Sequence, residues 1–223
     1  MNRSYSTVAH SASSAFATNK VLRNTYMLLS LTLLFSGLTA GLSMFLNMPP
    51  MTYLISVIGG MLIAMFVLPR FANSTAGIGI VFLITGLLGF GLGPMLTMYA
   101  SLPNGGNIIT LSLAGTGAIF MGLSAYALAT RKDFSFLGGF LMVGFLLVLL
   151  AALANIFLQI PAMSLAISAV VILIMSGFIL YDTSRIIHGG ETNYVLATIG
   201  LYMTIFNIFI SLLQILGIMG NDD

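Results

Sequence analysis

The sequence predicts an all-α integral membrane protein with seven transmembrane helices, and three observations lead to that fold class. Of the 223 residues, 59% are hydrophobic and only 5% are charged, whereas about a quarter of a soluble globular domain is charged. Apolar stretches near the ~20 residues that one α-helical span requires follow one another along the chain. Basic residues occupy only every second polar break between these stretches, as in multi-pass membrane proteins.

In chain order, the predicted spans cover residues 25–47, 51–69, 76–99, 107–130, 134–158, 162–187 and 195–219. Proline and glycine mark the breaks, because proline removes a backbone donor and glycine accepts a positive φ. Pro161, for example, separates the fifth span from the sixth. The predicted regions are a flexible cytoplasmic tail at 1–24, a transmembrane domain at 25–219 and a short outer tail at 220–223.

The distribution of basic residues predicts the orientation of the chain. All seven fall on one side of the predicted topology: Arg3, Lys20, Arg23, Arg70, Arg131, Lys132 and Arg185. Cytoplasmic connections of membrane proteins are enriched in lysine and arginine. We therefore predict a cytoplasmic N-terminus and a C-terminus on the outer side.

Composition and motifs argue against several classes of function. Seven scattered basic residues form no patch for nucleic acid, and the absence of cysteine excludes disulfides and thiolate metal sites. The sequence has no His-Glu-x-x-His helix, no Gly-x-Ser-x-Gly elbow and no Walker loop. A lone intramembrane aspartate cannot form an aspartyl-protease dyad. We expect a protein that is not an enzyme and needs no cofactor.

A single acidic residue lies inside a predicted span and is the first candidate for a functional site. Asp182 lies near the cytoplasmic end of the sixth span, and charged groups in spans are costly and often functional. Arg185 follows at i+3, so the two side chains can pair at the membrane interface. From the residues alone, this structural pairing and a site for protons or cations remain equal alternatives.

The seventh span carries a polar face at helical spacing. Its members are Thr204, Asn207, Ser211 and Gln214, and the spacing of 3, 4 and 3 residues places them on one side of a helix. Polar side chains in lipid turn toward protein or water. The last helix is therefore expected inside the bundle, where this face either packs against other helices or lines a polar cavity.

Glycines and one proline predict local features of the first and third spans. Gly37-x-x-x-Gly41 in the first span and the row Gly86, Gly89 and Gly93 in the third favour close helix approach. Gly93 and Pro94 together predict a kink or break in the third helix. Such breaks often border a cavity in membrane proteins.

Several segments in combination resemble the Bax inhibitor-1 family, in particular its bacterial branch. They are Lys20-Val21-Leu22-Arg23-Asn24-Thr25-Tyr26, Thr130-Arg131-Lys132-Asp133, Ser176-Gly177-Phe178-Ile179-Leu180-Tyr181-Asp182-Thr183, Ile186-Ile187-His188-Gly189-Gly190-Glu191-Thr192-Asn193-Tyr194 and Leu201-Tyr202-Met203-Thr204-Ile205-Phe206-Asn207. The resemblance extends from Lys20 to Gly217. It implies a seven-helix fold with a central last helix, in the cytoplasmic (inner) membrane of a bacterium.

The resemblance also implies a partner. Members of the bacterial branch associate with FtsH, a membrane-anchored ATP-dependent protease, and modulate it. For this chain we expect binding and inhibition of FtsH without catalysis, with the N-terminal tail as the segment that the protease engages. The lipid bilayer is the other expected partner.

The alternative implied by the resemblance is a pH-sensitive calcium leak channel. In that part of the family a pair of aspartates, one in the sixth helix and one in the seventh, senses pH. Asp182 matches the first position, whereas Thr204 stands at the second. Two close carboxylates repel each other when both are ionised, so they share a proton. A single carboxylate has no such repulsion. We therefore expect any pH-sensing or cation site at Asp182, Thr204 and Asn207 to be weakened or differently gated.

Overall fold

The computed structural model describes the backbone of residues 4–220 and the side chains of residues 19–220. Every regular element in that part of the chain is a helix. The elements are α1 (Ser4–Phe45), α2 (Met51–Leu62), a π-helical segment (Ile63–Val67), α3 (Leu68–Phe71), α4 (Thr75–Ala100), α5 (Gly105–Thr130), α6 (Leu137–Leu158), α7 (Pro161–Ile187) and α8 (Tyr194–Met219).

Seven helical stretches within the described residues are long and apolar enough to cross a membrane, which confirms the predicted class and number of spans. The second span, Met51–Phe71, combines α2, the π-helical segment and α3. The first span takes in Asn19–Phe45 of the longer helix α1, against the predicted 25–47. The other ends lie within a few residues of the predicted ones.

Helix α1 continues into the segment that the sequence assigns to the tail. It begins at Ser4 and runs without interruption to Phe45, so the backbone of residues 4–24 is helical. The flexibility of this segment stays a prediction. Residues 1–3 of the predicted tail and 221–223 of the predicted outer tail lie outside the described residues.

Pro69 explains the change of helical type in the second span. Because proline has no N–H and its ring crowds the carbonyl one turn earlier, a regular α-helix is disfavoured there. The preceding N–H, that of Leu68, bonds instead to the carbonyl of Ile63, five residues back. The helix thus widens by one residue and continues to Phe71.

Helix α8 is the most buried of the seven spans. It packs against α1, α4, α5 and α7. Within its apolar stretch 61% of the residues are buried, whereas only 6% are buried in the apolar stretch of α6. Two clusters of buried residues meet on it. One is centred on α4 and α8, with Ile84, Leu88 and Leu201, and the other joins Ile179 of α7 to Ile208 of α8.

The glycine row of α4 brings it close to α1, as predicted. A Cβ atom added at Gly86 would lie 2.6 Å from the Phe35 ring. One at Gly89 would overlap the carbonyl and hydroxyl of Ser36, and one at Gly93 would overlap Ser43. Gly89 and Gly93 therefore have to be very small, because backbone atoms of α1 lie against them, whereas at Gly86 only the Phe35 ring would have to move. Small residues allow helix backbones to approach in membranes, where no hydrophobic force drives association.

The sequence predicted a kink or a break at Gly93 and Pro94; the break is wrong, and the kink stays a prediction. Helix α4 runs through Pro94 to Ala100 as one α-helix. Proline costs a membrane helix one backbone bond, and neighbouring side chains tolerate or repair the loss. Pro94 lacks the N–H that would bond to the carbonyl of Phe90, and the loss of this one bond does not interrupt α4. Gly93 serves the contact with α1, not a break.

Candidate functional site

Asp182 lies on α7, one and a half turns before the helix ends at Ile187. It is partly buried and faces α8. Its Oδ2 atom lies 3.5 Å from the position that a Cβ atom would occupy at Gly200. The missing side chain of Gly200 thus leaves room for the carboxylate between the two helices. Among the described residues no side chain or backbone N–H donates to this carboxylate within hydrogen-bonding distance.

Thr204 and Asn207 lie beyond Gly200 on α8, and both are bonded to their own helix. The Thr204 hydroxyl donates to the carbonyl of Gly200 at 3.1 Å, and the Asn207 amide donates to the carbonyl of Met203 at 2.8 Å. The carboxylate of Asp182 therefore lies opposite Gly200, one turn before the position where the resemblance places a second acidic residue.

Arg185 forms its ion pair with Glu191, at 3.6 Å, and this replaces the pairing with Asp182 that the i+3 spacing suggested. The chain after α7 turns back at Gly189, which has φ +74°. The N–H groups of Gly190 and Glu191 then bond to the Arg185 carbonyl at 2.8 and 3.1 Å. The turn brings Glu191 beside the guanidinium, while Asp182 faces α8.

The N-terminal part of the first span contacts α7 and α8 in the region of Asp182. The Tyr26 hydroxyl lies 3.4 Å from that of Thr183 on α7. Thr198 of α8 donates to the carbonyl of Tyr194 at 2.7 Å and reaches that of Thr25 at 3.3 Å. Polar contacts therefore join α1 to α7 at Thr183, next to Asp182 in the chain, and to α8 at Thr198, two residues before Gly200.

Asn193 joins two connections at this end of the bundle. The Oδ1 atom of its side chain caps α8 by accepting from the N–H groups of Val195 and Leu196 at 2.9 and 3.2 Å. Its amide nitrogen donates to the carbonyl of Ala72 at 3.1 Å and to the side chain of Asn73 at 2.8 Å. Sequence analysis did not single out Asn193. The sequence feature that could have identified it is an asparagine directly before an apolar run, because helices commonly begin at such a position.

Ser184 of α7 holds the connection between α5 and α6 by hydrogen bonds. Its hydroxyl accepts from the N–H of Phe134 at 2.9 Å and approaches the carbonyl of Lys132 at 3.3 Å. Within this connection, a hydrogen bond from the N–H of Ser135 lowers the pKa of the exposed Asp133 carboxyl. We call the three joined connections, 72–74, 131–136 and 188–193, the linked connections.

The remaining members of the polar face serve packing between α7 and α8. Ser168 of α7 donates to Gln214 at 2.8 Å, and Ser211 is buried. A cavity of about 440 Å³ lies on another side of α8, against Tyr202 and Phe206. Neither Asp182 nor the four residues of the polar face line it.

Comparison with known proteins identifies the family. Residues 18–221 match the family model described as "Inhibitor of apoptosis-promoting Bax1". The chain belongs to the Bax inhibitor-1 family. This confirms the resemblance drawn from the sequence, and the match covers all seven spans.

Similar proteins occur in several bacteria. The chain is 52% identical over 214 residues to "Modulator of FtsH protease YccA" of Escherichia coli K12, covering 96% of this chain and 97% of that one. The same values hold for "Inner membrane protein YccA" of Escherichia coli O6:H1. It is 48% identical over 223 residues to an "Uncharacterized membrane protein" of Vibrio cholerae, covering 100% of both. With its seven apolar helices, this family member is a multi-pass protein of the inner membrane.

Proposed function

We propose that this protein binds an FtsH-type membrane protease and inhibits it, without chemistry of its own. The observation that carries the proposal is the similarity to the modulator of FtsH protease in Escherichia coli, at 52% identity over 97% of its length. Identity that high over nearly the whole length makes a shared partner the simplest explanation.

The proposal requires the N-terminus and the linked connections to face the cytoplasm, where an ATP-dependent protease acts. The exposed basic residues support this orientation, because Arg70, Arg131 and Lys132 lie at the same end of the bundle as the linked connections. It also treats α8 as the central helix, in keeping with its contacts to α1, α4, α5 and α7.

The linked connections suit a docking surface. Hydrogen bonds from Asn193 and Ser184 hold the connections 72–74 and 131–136 to the end of α7 and the start of α8. A surface that is already ordered loses little conformational entropy when a partner binds. We propose this surface for contact with the protease and the segment before Lys20 for engagement by it.

The deciding measurement is the lifetime of an established FtsH substrate in cells. The lifetime is compared between a strain that lacks the protein, a strain that overproduces it, and a strain that overproduces it without residues 2–19. A fourth strain carries an unrelated Ser- and Ala-rich segment of equal length in place of those residues. We expect overproduction to lengthen the lifetime and the protease to co-purify. In the last two strains the lifetime should not lengthen, whereas the protease should still co-purify through the linked connections. An unchanged lifetime without co-purification would refute the proposal.

The environment of Asp182 favours a second candidate, a cation or proton leak. A partly buried carboxylate that receives no hydrogen bond from the described residues can bind a proton or help to bind calcium ions. Calcium flux into proteoliposomes tests this, with Asp182→Asn as the variant and the exposed Asp133→Asn as its control. A leak at Asp182 requires the first variant alone to lose flux. Equal flux in both variants and the parent excludes it.

A further inference from the structure

The cavity of about 440 Å³ opens between α1 and α5. Helices α4 and α8 form its floor, where Tyr202 and Phe206 are buried. Exposed residues border its mouth, Gly37 and Gly41 on α1 and Leu113 on α5. Helices α1 and α5 each pack against α4 and α8 but do not pack closely together. The cavity is therefore open sideways, in the direction of the lipid.

Two glycines of α1 provide the space. They were predicted to allow close helix approach, but a Cβ atom added at Gly37 or Gly41 would meet no atom within 4 Å. They differ in this from Gly89 of α4, where the same atom would overlap Ser36. Residues four apart lie on one face of a helix. Gly37 and Gly41 thus form a continuous groove along α1 that no other part of the described chain fills.

The polar groups of the cavity are already hydrogen-bonded. Thr116 donates to the carbonyl of Ser112 at 2.7 Å. Tyr202 donates to the carbonyl of Thr85 at 3.2 Å and lies 2.6 Å from the hydroxyl of Ser36, which donates to it. An ordered water needs about 2–4 polar partners. The other lining residues are apolar or glycine, so the cavity suits hydrocarbon rather than water.

The length and depth of the groove match one acyl chain. It is lined along α1 from Leu33 to Met44, which at 1.5 Å per residue is about 16 Å. One leaflet contributes about 15 Å of a bilayer's hydrocarbon core. Leu33 lies near the middle of the first span, Asn19–Phe45, and Met44 near its end. The groove therefore extends from one membrane surface to the midplane.

We propose that this cavity binds one acyl chain of a membrane phospholipid, from the leaflet at the C-terminal end of α1. The chain enters between α1 and α5, lies against Gly37 and Gly41, and reaches Phe206 with its end. The cavity volume falls within the about 300–1,000 Å³ that is usual for small-molecule sites.

Fluorescence quenching by brominated lipid tests the proposal. The protein has no tryptophan, so Phe206→Trp gives a signal from the cavity floor alone. The protein is reconstituted in phosphatidylethanolamine and phosphatidylglycerol vesicles, with or without bromine in the distal half of the acyl chains. We expect brominated chains to remove more than half of the emission. Phe140→Trp, at a position 73% exposed on α6, should be quenched in every brominated sample and serves as the positive control.

A matched pair of variants tests whether the quenching depends on the open groove. Gly41→Leu, added to the Phe206→Trp reporter, should abolish most of the quenching. Gly122→Leu makes the same change at an exposed glycine of α5 that does not line the cavity and has open space around it, and it should leave the quenching unchanged. If Phe206→Trp does not fold, Phe209→Trp reports from the same cavity.

Two results would overturn the proposal. In the first, the cavity reporter emits equally in both kinds of vesicle while the Phe140→Trp control is quenched, so no acyl chain reaches the floor. In the second, aqueous iodide quenches the cavity reporter and brominated lipid does not, so the cavity holds water. Equal quenching in the Gly41→Leu and Gly122→Leu variants would also contradict it.

Discussion

At the scale of single residues, the glycines of this protein serve two opposite purposes, which the sequence does not distinguish. Gly89 accepts the backbone of a neighbouring helix, whereas Gly37 and Gly41 leave a groove open. The spacing of glycines in a membrane helix shows that something can approach closely. Whether a helix or a lipid does so depends on how the helices are arranged.

Gly89→Ala tests the tight contact. Because the added methyl group would overlap the carbonyl of Ser36, α1 and α4 must separate, and we expect a loss of about 1–3 kcal/mol in unfolding free energy. Unfolding of the purified protein in a denaturing detergent measures it. Gly79→Ala, on the same helix and facing open space, should change stability little. Equal effects of the two substitutions would show that the contact is not tight.

At the scale of elements, apolar length and polar breaks predicted all seven spans, because the bilayer restricts spanning segments to long helices. Local chemistry was less predictable. Pro69 lengthens its helical turn and Pro94 leaves an α-helix intact, although both are prolines within apolar stretches. The outcome at each proline depends on how the neighbouring helices pack around it, and the apolar pattern does not show that packing.

Asn193 offers a test of the linked connections at this scale. Asn193→Ala removes both the cap of α8 and the bonds to Ala72 and Asn73, and loss of such a cap costs about 0.5–2 kcal/mol. Asn193→Asp keeps the capping oxygen and removes only the donor. We expect hydrogen exchange in the connection 72–74 to rise in both variants, and exchange in the first turn of α8 to rise in Asn193→Ala alone. Unchanged exchange at 72–74 would show that this connection is held by other contacts.

At the scale of the whole molecule, the sequence predicted the candidate site only in part. Asp182 and the polar face of α8 were identified because polar residues are conspicuous among apolar ones. Their partners were not, since contacts such as Tyr26 with Thr183 join residues far apart in the chain. The ion pair of Arg185 depends on the turn at Gly189, which brings Glu191 back to the helix end.

The orientation of the whole molecule can be tested directly, because the chain contains no cysteine. Asp133→Cys places a thiol in a linked connection and Asn104→Cys places one between α4 and α5, and both positions are exposed. A membrane-impermeant maleimide should label Asn104→Cys in intact spheroplasts and Asp133→Cys only in inverted vesicles. The reverse pattern would contradict a cytoplasmic N-terminus.

The close contact between α1 and α4 has a mechanical consequence. A motor that pulls on the N-terminus loads α1 before any other helix. Gly89 and Gly93 hold α1 sideways against α4 at backbone distance. Such a contact is lost over a very small displacement, so it yields abruptly rather than stretching. The force needed to detach α1 is then set by this contact together with the packing of α1 against α8 and α7.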